Sequence, residues 1–88
     1  INFLKRRENM NYYVIVFKNT LDAMNAEKTL KENNYKFKIM PTPTVITQSC
    51  GICVRTENKE DIDNIISSNL IVYKDIYRKS NEEFIKIK

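Results

Sequence analysis

Two short apolar runs, Tyr12-Tyr13-Val14-Ile15-Val16-Phe17 and Ile52-Cys53-Val54-Arg55-Thr56, are each followed by an Asn-x-x-Asp pair and then by apolar residues at helical spacing. β-branched and aromatic residues suit a pleated, buried strand, and an Asn three residues ahead of an acid suits the start of a helix. The chain therefore reads twice as strand, cap, helix. In the first unit both alternate faces of the strand are apolar, which predicts a central strand. Asn19 and Asp22 open a helix over about residues 20–33, with Ala23, Ala26 and Leu30 as its inner stripe and Leu21 and Met24 beside them. In the second, Asn58 and Asp61 open a helix whose stripe is Ile62, Ile65, Ile66 and Leu70.

Between these units, Lys36-Phe37-Lys38-Ile39-Met40 alternates charge with bulk. This predicts an edge strand with Phe37 and Ile39 inward and the lysines outward. Tyr73 to Tyr77 reads as the last strand. The order β-α-β-β-α-β predicts an α+β fold, a ferredoxin-like sandwich of one four-stranded antiparallel sheet with two helices on one face and strands one and three at its centre. One small domain over residues 10–78 accounts for this. Residues 1–9 read as a disordered lead-in, with Met10 a plausible natural start, and residues 79–88 as a C-terminal tail in which Phe84, Ile85 and Ile87 favour either an edge strand or a short helix.

At 88 residues there is room for one core only. No apolar run approaches the ~20 residues of a membrane helix, so no membrane partner is expected. The net charge of +4 raises the question of nucleic acid. Half of it resides in Lys5, Arg6 and Arg7 set against Glu8, and the domain itself shows no basic cluster. Modules of this topology that bind RNA carry aromatic side chains on both central strands. Here Tyr12 and Tyr13 serve only the first, so no nucleic-acid partner is expected. With two cysteines and no signal-like segment, a reducing cytoplasm is the expected compartment.

Ser49-Cys50-Gly51-Ile52-Cys53 is the only concentrated chemical feature. Residues 41–49, containing Pro41 and Pro43, form a connector longer than the about 2–5 residues a hairpin needs. It should bring Cys50 to the end of the sheet where the first helix starts, near Asn19, Thr20 and Leu21, and free helix N–H groups there favour a thiolate. Gly51, the sole glycine, permits a positive φ or a close approach by a partner. Cys53, inside a strand, is expected to contribute packing, with a role as a second, resolving thiol as the alternative. Residues three apart in an extended segment face opposite ways, so a Cys50–Cys53 disulfide needs a turn at Gly51. With no His and two Cys, neither a metal site nor a hydrolytic triad is expected, nor is any cofactor.

A strand such as Tyr12–Phe17, a helix with Ala26-Glu27-Lys28 near its middle, a connector containing Pro41 and Pro43, and Ser49-Cys50-Gly51 before a short strand together resemble the selenium/sulfur carrier-like domain family. The resemblance covers about residues 12–77. It implies a small bacterial cytoplasmic protein handling sulfur or selenium, with Cys50 as the acceptor of a persulfide or selenosulfide and with donor and acceptor proteins as partners. Such a protein is a carrier rather than a stand-alone catalyst. The alternative is a small-ligand or protein-binding module in which Cys50 is only a contact. A homodimer or a partner-dependent complex is expected, because the helices leave the second apolar face of the first strand uncovered.

Overall fold

In the computed structural model, residues 12–46, 50–80 and 83–88 are described. The lead-in, Met10 and Ser49 lie outside them. The elements are β1 (Tyr12–Val16), α1 (Thr20–Glu32), β2 (Lys38–Pro41), β3 (Ile52–Thr56), α2 (Lys59–Ser68), β4 (Asp75–Ser80) and β5 (Glu83–Lys86). Both helices begin where the asparagines direct. Asn19 Oδ1 accepts the Asp22 N–H at 2.8 Å, and Asn58 Oδ1 accepts that of Glu60 at 2.8 Å. Asparagines also end them: Asn34 and Asn69 adopt the left-handed conformation, with φ of 64° and 52°. A short amide side chain tolerates that conformation, so neither helix needs a terminal glycine.

The sheet is antiparallel in the order β2-β3-β1-β4-β5. Five strands stand where four were expected. β4 runs on through Ser80, and β5 pairs with it from Tyr77↔Lys86 to Ser80↔Glu83, so the segment expected to trail as a tail forms the sheet edge. β2 is the opposite edge, as its alternating lysines predicted. One residue is misjudged there: Ile39 is exposed, because it lies beyond the reach of the helices. Phe37, in the turn into β2, does pack against the core.

Both helices lie on one face. Ala23, Ala26 and Leu30 of α1 and Ile62 and Ile65 of α2 close over Ile15, Val54 and Ile76, which sit opposite one another in register, and over Phe17. The other face is not open, contrary to the premise of the dimer expectation. Val14, Val16 and Cys53 are fully buried there within one chain, beneath Ile46 of the connector and beside Tyr12, Met40, Tyr77 and Phe84. β5 is held on this side by an ion pair as well as by Phe84. Lys86 Nζ lies 3.2 Å from Asp75 Oδ1, while Lys74 Nζ lies 3.0 Å from the other carboxylate oxygen.

Burial alone would raise the Asp75 pKa, but the hydrogen bonds and charges of Lys74 and Lys86 outweigh it and hold the carboxyl below its usual value. A carboxyl depressed in the folded state stabilises the fold above the unfolded pKa of about 4, and that contribution is lost as pH falls through the folded value. Lys86→Ala should therefore melt at a lower temperature than the parent at pH 7, with the difference narrowing at pH 3. A difference in melting temperature that is constant with pH would show that Lys86 acts only through packing.

Candidate functional site

The connector leaves β2 at Pro41 and does not separate from the hairpin at once. The Thr42 N–H donates to Gly51 O at 3.0 Å, and the Thr42 hydroxyl donates to Cys50 O at 2.8 Å. A turn then closes with the Ile46 N–H on Pro43 O at 3.0 Å. This folds the connector back so that Ile46, only 8% exposed, seats on the helix-free face against the Val16 and Cys53 cluster. The excess length of the connector thus supplies apolar cover, which a tight turn would not.

Cys50 follows, with both of its backbone groups engaged. Its N–H donates to Phe17 O at 2.9 Å and its carbonyl receives Thr42. Phe17 is two residues ahead of the α1 cap, so the thiol stands at the end of the sheet where α1 begins. The side chain is half-buried against the helix-side core, and its Sγ donates to Ile52 O at 3.0 Å. The S–H is therefore oriented by a carbonyl of β3, and the residue is only partly buried.

Cys53 is different in every respect that governs reactivity. It is completely buried, on the other side of the sheet, with its Sγ 3.7 Å from Pro41 O. Burial pushes its thiol up from 9.0 to about 11, the neighbouring Cys50 adds to the rise, and a hydrogen bond with Thr42 offsets part of it. A protonated, sealed thiol is neither nucleophile nor ligand. The two sulfurs are free, with no disulfide between them. Register explains this: Cys53 pairs with Val16 inside the ladder, and the strand between the two cysteines does not reverse at Gly51.

Gly51 itself corrects an expectation. Its φ is not positive, and a Cβ built on it would meet nothing within 4 Å among the described residues. The fold does not require a glycine there. What the glycine provides is an uncovered backbone next to the thiol. Ser49, one residue before Cys50, lies outside the described residues. Among them, no group of three or more Cys, Asp or Glu stands close enough to hold a metal ion, and no helix is long and apolar enough to cross a membrane.

A cavity of about 540 Å³ lies away from the thiol. It opens at the opposite end of the sheet, where β2 begins, β3 ends and α2 starts, and includes Lys36, Phe37, Lys38, Arg55 and Lys59 in its wall. No sequence motif marked it, because its residues come from two separate stretches of the chain, 36–38 and 55–61.

Comparison with curated proteins finds no match, and neither does comparison with solved structures. A family model described as "Putative Se/S carrier protein-like" matches residues 12–78, from the first residue of β1 into β4, and so spans the connector, Cys50 and Gly51. With three quarters of its length aligned, the chain belongs to the Se/S carrier-like family.

Proposed function

We propose that Cys50 carries a sulfur or selenium atom between a donor and an acceptor protein in a reducing compartment. The observation that carries this is the asymmetry of the two cysteines: one is anchored by its backbone and only partly buried, the other is sealed. Family membership supports the same reading. In the transfer, the Cys50 sulfur gives up its proton and attacks the outer chalcogen of a donor persulfide or selenosulfide. The donor's sulfur–chalcogen bond breaks as the Cys50 bond forms, and the donor leaves as a thiol carrying the proton. Nothing is oxidised or reduced overall, so neither a cofactor nor a second thiol is needed. The hydrogen bonds from Cys50 N–H to Phe17 and from Thr42 to Cys50 O keep the sulfur at one place on the surface, and the bare Gly51 backbone lets a partner approach it.

Two measurements test this. Native protein treated with iodoacetamide should be modified at Cys50 at least about tenfold faster than at Cys53, which should react only with denaturant or toward its pKa of about 11. Replacing Ile46 with Ala should speed labelling of Cys53 and leave that of Cys50 unchanged. After incubation with glutathione persulfide, intact-mass spectra of the parent and of Cys53→Ala should gain about 32 Da for one sulfur, whereas Cys50→Ala gains nothing. Uptake retained in a folded Cys50→Ala variant would overturn the assignment. Gly51→Ala should fold with unaltered stability and load normally from the small donor, but pass its sulfur to a protein acceptor more slowly. Equal transfer rates would remove Gly51 from the site.

A further inference from the structure

The helix-free face carries a pattern that the thiol chemistry does not use. Register aligns Lys38, Arg55, Val14, Tyr77 and Lys86 in one row across all five strands, and Tyr12, Lys79 and Phe84 in the adjacent row. At about 4.8 Å per strand the first row crosses about 19 Å of sheet and the second about 10 Å. Ile46 packs in one cluster with Cys53 and Val16 of the third row, Met40–Cys53–Val16, and with Val14; the other side chains of the first two rows are partly buried, with Lys38 and Lys86 exposed. Cations and rings interleave in these rows. The Arg55 guanidinium carbon lies 3.8 Å from the Tyr12 ring centre, and Lys79 Nζ lies 5.8 Å from Tyr12 and 4.7 Å from Phe84. Among the described residues, Glu57 is engaged by Arg55 at 2.9 Å and Asp75 by Lys74 and Lys86 on this side. At its Lys38–Arg55 end the row runs into the wall of the 540 Å³ cavity.

We infer that this face binds single-stranded nucleic acid, with phosphates along Lys38, Arg55, Lys79 and Lys86 and bases against Tyr12, Tyr77 and Phe84. Charge complementarity favours a polyanion, and rings set between the cations favour one that carries flat bases. Duplex nucleic acid does not present unstacked bases to a sheet. The sequence argument against such a ligand rested on the lack of a basic cluster and of an aromatic residue in β3; register now gathers Lys38, Arg55, Lys79 and Lys86 on one face. The fold supplies the rings from β4 and β5 instead.

Fluorescence anisotropy of the full chain with labelled rU12 and dT12 tests the inference. Four phosphate contacts imply that log affinity falls against log salt with a slope of about −3. Lys38→Ala and Lys79→Ala should each reduce the slope by about 0.7. Phe84→Leu should weaken binding about tenfold at an unchanged slope, and Lys28→Ala, on the exposed side of α1, should change nothing. These lysines are surface residues, so their variants remain folded by circular dichroism. Four outcomes would overturn it: no binding at about 50 mM salt; equal loss with Lys28→Ala; binding abolished by alanines at Lys5, Arg6 and Arg7 but not by the face variants; or displacement of rU12 by polyglutamate as effective as by unlabelled rU12, which would point to an acidic protein.

Discussion

Burial of β1 on both of its faces is the constraint on which the rest of the structure depends. Val14, Ile15, Val16 and Phe17 are all completely buried, so a chain of this length has to cover both sides of one strand. The helices cover Ile15 and Phe17. Val14 and Val16 have no helix, and leaving them in water would forgo roughly 1.5–3 kcal/mol for each side chain. The connector and β5 meet that need: Ile46 from one and Phe84 from the other close over the same cluster. Both segments look dispensable in a minimal four-stranded sheet, yet both complete the core.

The same constraint divides the two cysteines. A strand residue that shares a face with Val16 is buried under Ile46, and Cys53 is that residue. Cys50 lies just before the ladder, where the chain has still to enter the sheet, and its half-exposure follows from being at the end of β3 rather than within it. Folding the connector back onto the helix-free face ties both backbone groups of Cys50 to neighbouring segments. Covering the core and positioning the thiol are thus one arrangement of one loop.

The two ends of the sheet have separate characters. The thiol stands where β1 hands over to α1, whereas the cationic rows and the 540 Å³ cavity lie toward the other end. Ile46 packs over Cys53, Val16 and Val14, whereas Arg55 and Tyr12 stack on each other beyond it. A ligand on the helix-free face would therefore leave Cys50 accessible to a protein partner.

Elements whose signals are local could be read from the residues: the β1 and β3 runs, the Asn19 and Asn58 caps, the helical stripes and the edge character of β2 all depend on neighbours within a few positions. Cys50 stood out for the same reason, as a thiol beside the sole glycine and outside any strand. What needed the tertiary structure was whatever depends on cross-strand register. Charge in residues 79–88 obscured β5, because Lys86 looks solvated until Asp75 is seen beside it. Local pattern likewise left Val14 and Val16 facing a second copy of the chain, when Ile46 of the same chain covers them. The row from Lys38 to Lys86 joins residues up to 72 positions apart. Periodicity within a segment specifies which face a side chain takes, but the partners on that face are chosen only when the strands align.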